Sequence, residues 1–177
     1  PQAIVRELPG RIAPLRMADV RPRVSGIILS RTFEQGREVK TGEPLYQIDP
    51  KPFEVELQAA EAALAKAEAA LLQASQHAIR IETLTKSNAA SQASNEVAVA
   101  NLAQAKADLA ARNADLSRAR LNLDYATIKA PINGIIGAAL MSEGVLVVQN
   151  ETHALATIQQ IDSVYADFTQ SVNELNK

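Results

Sequence analysis

The sequence contains no cysteine and no tryptophan, and only 3% of its 177 residues are aromatic. Without cysteine there is no disulfide, no thiolate metal site and no cysteine nucleophile, and the redox compartment stays open. Charge of one sign is not in excess either. Lys+Arg 18 stand against Asp+Glu 20, and a net charge of -2 gives no electrostatic reason to expect nucleic acid or an anionic membrane as the main partner. No apolar run approaches the ~18 residues needed to cross a bilayer. The chain opens on Pro1, with neither a signal-peptide pattern nor a lipidation cysteine, and reads as a processed chain or a fragment. The hydrophobic share is 47%. About 32 residues are alanine, which buries little area, so a large compact core is not expected.

The signatures of catalysis are also missing. His77 and His153 stand apart, with no HExxH or similar spacing, so a metal site is not expected. No serine lies in a G-x-S-x-G elbow and there is no glycine-rich phosphate loop. Glu61 and Glu68 fall on one outer helix face, whereas paired catalytic carboxylates need a cleft. The chain is expected not to be an enzyme and to carry no cofactor.

Composition changes sharply twice along the chain. Up to Pro50, short β-branched runs (Val20, Val24, Ile27, Ile28, then Leu45, Tyr46, Ile48) are separated by Gly26, Gly36 and Gly42, the pattern of short strands and turns. After Pro52 and as far as Leu123 there is no glycine or proline, and Ala, Gln, Glu, Leu and Lys dominate, which predicts helix. From Tyr125 the first pattern returns, with Pro131, Gly134, Gly137 and Gly144 among Ile132, Ile135, Ile136, Val145, Val147 and Val148.

The helical middle has a heptad period. Leu57, Leu64, Leu71 and Ala78 lie seven apart, and Ala60, Ala67, Ala74 and Ile81 follow each by three. A second arm repeats this with Leu102, Leu109, Leu116 and Leu123, accompanied by Ala98, Ala105 and Ala119, with Arg112 as a polar intruder. Asp49 and Pro50 with Pro52 supply an N-cap and first-turn prolines for the first arm. Between the arms, Asn88 suits a left-handed helix stop and Ser91 a new N-cap. Two matched arms with a short break predict an antiparallel coiled-coil hairpin, roughly 50 Å long at 1.5 Å per residue. Its alanine-rich seam lets the helices approach closely and stabilises each heptad less than leucine would. Asp108 with Arg112, and Asp115 with Arg118, are spaced as exposed helix pairs worth a few tenths of a kcal/mol. They solvate an outer face or set register between neighbouring hairpins.

The flanking segments repeat each other. Gly26-Ile27-Ile28 precedes Gly36 at the spacing by which Gly134-Ile135-Ile136 precedes Gly144, and each copy continues into an apolar strand, Leu45–Ile48 and Leu155–Ile158. Each half is too small to bury a face alone, so the two must pair, with the hairpin inserted between them. Glycine at the repeated positions serves positive-φ turns or bulges.

These residues carry a family resemblance. Through Leu8-Pro9-Gly10-Arg11, Val20-Arg21-Pro22-Arg23-Val24-Ser25-Gly26-Ile27-Ile28, Leu45-Tyr46-Gln47-Ile48-Asp49-Pro50, Leu121-Asn122-Leu123-Asp124-Tyr125, Ala130-Pro131-Ile132-Asn133-Gly134 and Val164 to Ser171, the chain resembles the periplasmic adaptors, or membrane fusion proteins, of RND-type tripartite efflux pumps, of the AcrA and MexA kind. The resemblance implies an α+β fold: a lipoyl/biotinyl-like β-sandwich of two half-motifs, interrupted by a long antiparallel α-helical coiled-coil hairpin, with the start of a β-barrel at the termini. On it, 1–19 is a strand segment of the barrel or membrane-proximal region, 20–50 and 125–160 are the two lipoyl-like halves, 51–124 is the hairpin with its tip at about 85–91, and 161–177 opens a truncated barrel.

The family's channel-docking signature, an Arg, a Leu four later and a Ser seven beyond, falls on Arg80, Leu84 and Ser91. Arg80 and Leu84 are i,i+4 neighbours, so a guanidinium and an apolar knob are presented together. Taken alone, Ser91 reads as a simple N-cap and Arg80 as a solvated arginine. The implied partners are an inner-membrane RND transporter, a TolC-like outer-membrane channel and further copies of the chain, as a hexamer built as a trimer of dimers. The implied place is the periplasm, with the full-length protein anchored to the inner membrane. An adaptor for type I secretion or an ABC-type exporter is the nearest alternative. A biotin or lipoate carrier is another, opposed by Lys51, which sits between Pro50 and Pro52 at a helix root rather than on an exposed β-turn.

Overall fold

The computed structural model describes residues 10–149 and 151–168. Leu8 and Pro9, the end of the stretch at Thr169–Ser171, and the outer parts of the 1–19 and 161–177 segments lie outside the described residues. The chain divides into two compact units, one formed by residues 1–48 with 127–177, the other by 49–126.

The first unit is a β-sandwich of two four-stranded sheets. The strands are β1 (Gly10–Val20), β2 (Gly26–Arg31), β3 (Glu38–Val39), β4 (Pro44–Ile48), β5 (Thr127–Lys129), β6 (Gly134–Ile136), β7 (Leu146–Val147) and β8 (Ala156–Phe168). One sheet runs β1-β8-β6-β3 and the other β5-β4-β2-β7. Each sheet thus mixes strands from both sequence halves, and exchanging the halves converts one strand order into the other. Hydrogen bonds repeat the symmetry. Gly36 N–H donates to Ile136 O at 2.8 Å, and Gly144 N–H donates to Ile28 O at 2.8 Å. Thr32 N–H meets Leu45 O at 3.0 Å as Leu140 N–H meets Leu155 O at 2.9 Å. Gly36 and Gly144 hold φ of 79° and 85°, the left-handed turn conformation in which glycine meets no Cβ penalty.

Alternation along the strands fills the core. In β2, Ile28 is buried while Ile27 and Leu29 point out; β4 buries Leu45, Tyr46 and Ile48; β6 contributes Ile136, β7 Val147 and β8 Ile158. Phe33 packs edge-to-face on Tyr46 with ring centroids 5.2 Å apart. β1 and β8 pair antiparallel from Val20↔Ala156, inside the sandwich, out to Gly10↔Phe168, with a register shift between Pro14 and Arg16.

The second unit is a helical hairpin of α1 (Lys51–Lys86) and α2 (Gln92–Tyr125). Helical geometry starts at Pro50, whose φ and ψ are already right-handed and whose carbonyl accepts from Glu54 N–H at 2.9 Å. Asp49 still serves the entry, since its Oδ1 accepts from Lys51 N–H at 3.1 Å. The buried helical residues, Ala67 and Ala78 on α1 and Ala98, Ala105, Leu116 and Ala119 on α2, follow the 3–4 spacing of a coiled-coil seam.

Candidate functional site

The turn between the helices is built from caps rather than from glycine. Asn88 takes φ 57°. Around it Ala89 N–H reaches back to Leu84 O at 2.8 Å and Asn88 N–H to Thr85 O at 3.0 Å, the bond pair of a Schellman stop. Three residues later Ser91 is extended (φ -78°, ψ 154°) and its hydroxyl oxygen accepts from Ser94 N–H at 3.1 Å, while the two serine hydroxyls bond each other at 2.8 Å. Chain reversal therefore takes only residues 87–91.

On this reversal the three tip residues are placed as follows. Arg80 is exposed near the end of α1 and forms no ion pair with any described residue. Leu84, one turn further, leaves 39% of its surface open. Ser91 is exposed and already committed as the cap of α2. Its capping bond and its exposure coexist, because the oxygen has a second lone pair. Beside Leu84 an ion pair joins Lys86 Nζ to Glu82 at 2.6 Å, and the hydrogen bond and positive charge of Lys86 hold the Glu82 carboxyl below the usual glutamate range. Ile79 and Val97 are exposed as well, so the tip end of the hairpin carries exposed apolar side chains together with a guanidinium that has no ion pair among the described residues. Neither was singled out by sequence reading, since neither belongs to the seam series. Their signal is a large apolar residue off the heptad phase.

Of the seam leucines, Leu116 is buried and Leu57, Leu64, Leu71, Leu102, Leu109 and Leu123 are half-buried. Arg112, at the seam phase, stays exposed. It pairs with Asp115 at 3.2 Å and not with Asp108, whose carboxylate accepts from the Gln104 amide at 3.1 Å. Asp115 is shared, because Arg118 also reaches it at 3.0 Å. The expected Asp108–Arg112 pair is therefore absent, its acid taken by an amide one turn back. Between the arms Arg120 approaches Glu61 to 3.8 Å, and Glu68, Leu71, Leu72, Ser75, Leu102 and Lys106 line a shallow cleft of about 390 Å³.

Elsewhere, Lys51 is the first helical residue of α1, and His77 and His153 are exposed. Among the described residues no three His, Asp or Glu side chains gather as metal ligands would, and no helix is long and apolar enough to cross a membrane.

A barrel-like sandwich carrying a long inserted hairpin is a recognisable arrangement, and residues 16–159 match the family model described as RND MFP, barrel-sandwich hybrid domain. The chain belongs to the RND membrane fusion protein family. It is 42% identical over 174 residues to the multidrug export protein AcrE of Escherichia coli K12, covering 98% of this chain and 45% of that protein. It is 40% identical over 172 residues to the solvent efflux pump periplasmic linker SrpA of Pseudomonas putida, covering 97% and 41%. Among solved structures, a MacA–MexA chimeric protein containing the Pseudomonas aeruginosa MexA α-hairpin domain superposes with a TM-score of 0.65 at 29% identity, covering 95% of this chain and 54% of that one. This RND membrane fusion protein chain thus spans about half the length of the relatives it matches.

Proposed function

We propose that the chain is the hairpin-and-sandwich part of a periplasmic adaptor that links an inner-membrane RND transporter to a TolC-like outer-membrane channel for export of drugs and other xenobiotics. The observation that carries this reading is the family membership of a chain whose exposed hairpin tip presents Arg80, Leu84 and Ser91 at the offsets of the channel-docking signature. The names of relatives, a multidrug export protein and a solvent efflux pump linker, agree in pointing to efflux. The adaptor catalyses nothing. It spans distance and seals a conduit, and the transporter supplies the work. On this reading residues 1–19 and 161–177 lead into the barrel of the full-length protein, which is anchored at the inner membrane, and the adaptor self-associates as a hexamer, or trimer of dimers.

Cysteines placed at Arg80 or Ser91 of the full-length protein are expected to crosslink in cells to an outer-membrane channel. Arg80→Glu is expected to abolish drug resistance without loss of the adaptor from the periplasm. Full resistance in Arg80→Glu cells, with no crosslinked channel, would sink the proposal.

A further inference from the structure

Seven residues before Leu102 stands Asn95, so Asn95, Leu102, Leu109, Leu116 and Leu123 share one seam phase of α2. Asn95 is half-buried, and its Oδ1 is enclosed with no hydrogen-bond partner among the described residues. The hydroxyls that flank the turn at residues 87–91 are engaged in bonds of their own. Thr85 donates to Ile81 O at 2.9 Å, Ser87 to Leu84 O at 3.0 Å, and Ser91 and Ser94 bond each other. Both helix ends at the turn, by contrast, carry a cap: the Schellman bonds close α1 and Ser91 closes α2. The unmet demand therefore lies in the seam and not in the turn.

A seam asparagine in a two-chain coiled coil fixes register at some loss of stability. Here the tight turn already fixes register, which leaves only the loss. An enclosed acceptor has given up water and received nothing, and parting the arms returns the water. We infer that Asn95 makes the tip end of the hairpin, from about Ile81 to Ala98, a weak segment that opens independently of the leucine-lined arms behind it. Opening there changes the spacing of Arg80 and Leu84 from Ser91 across the turn, so one adaptor can adjust its tip to a channel. That use rests on the docking reading above; the opening itself does not.

Hydrogen exchange read by mass spectrometry on the 177-residue chain tests it. Asn95→Leu is expected to slow exchange of tip amides about tenfold, while peptides around Leu64–Leu71 and Leu109–Leu116 keep their wild-type rates. Asn95→Ala, which removes the amide without added bulk, slows the same amides by a smaller factor and guards against a leucine that does not fit. Slowing confined to the tip in either variant supports the inference. Unchanged tip exchange in both, as ordinary end-fraying would give, overturns it, and so does slowing spread evenly along both arms. Because exchange is read without any partner, a failed crosslink to a channel would remove the docking reading and leave this one standing.

Discussion

Tyr46 shows how much one side chain can hold. It is 1% exposed, its ring meets Phe33, and its hydroxyl donates to Leu155 O at 3.1 Å, a bond from one sequence half to the other. Burial pushes its pKa above the ordinary tyrosine value, against a smaller opposing pull from Arg31. The folded state thus binds this proton more tightly than the unfolded chain. The associated stability is present below the unfolded tyrosine pKa of about 10 and is lost as pH rises through the folded value. Tyr46→Phe is expected to lower stability by about 1 kcal/mol at neutral pH. It should also flatten the decline of Tm above pH ~10; a decline as steep as wild type would show that another group causes it. Gly134 makes a different demand. A Cβ there would lie 2.4 Å from Gln159 O, a backbone atom of the paired strand β8, at φ 154°. Gly134→Ala is expected to destabilise by about 2 kcal/mol or more in urea unfolding, because a ladder of strand bonds has to move.

At the scale of elements, the helices were the most legible part of the sequence, because periodicity, capping and the absence of glycine and proline all act within a few residues. Leu64 and Leu71 announce a seam, and Asn88 and Ser91 announce its reversal, from local chemistry alone. Side-chain pairing was less legible. Asp108 and Asp115 both stand within reach of Arg112, and only the position of the Gln104 amide decides between them. Asn95 went unnoticed because a polar residue at the head of a leucine series looks like the end of the series. At the tip, exposure is shown by the helices, while what meets Arg80 has no trace in a single chain. The alanine seam carries its own test. Ala98 is 1% exposed, so Ala98→Leu inserts bulk where two helices approach, and it is expected to cost about 1–3 kcal/mol in thermal or urea unfolding. Leu116→Ala, at a buried seam position, is expected to cost about 2–3 kcal/mol by leaving a cavity. If Ala98→Leu instead stabilised the hairpin, the seam would be looser than its burial indicates.

At the scale of the whole chain, the sandwich is made by exchange. Each sequence half supplies strands to both sheets, β3 to β6 and β2 to β7, so neither half has a complete sheet of its own. The glycine repeat revealed that two halves exist and must combine, but the exchange and the long β1–β8 ribbon join residues more than ninety positions apart, and no local pattern encodes such pairing. The same topology explains why the chain tolerates an insertion of this size. Gln47 on β4 and Thr127 on β5 are direct antiparallel partners, with Thr127 Oγ1 and Gln47 Oε1 3.0 Å apart, so the two points where the hairpin leaves and returns are neighbours in the ladder. In strand terms the hairpin occupies the place of a β-turn. Replacing residues 49–125 by Asn-Gly, which keeps Ile48 opposite Ala126 in the register of Gln47 and Thr127 and is the pair that best closes a two-residue hairpin, is therefore expected to leave a folded sandwich. Its signature would be dispersed amide resonances and a buried Tyr46 that still titrates above the ordinary tyrosine range. A collapsed spectrum without dispersion would mean that the β domain depends on its insertion, and that exchange between the halves does not by itself make a stable fold.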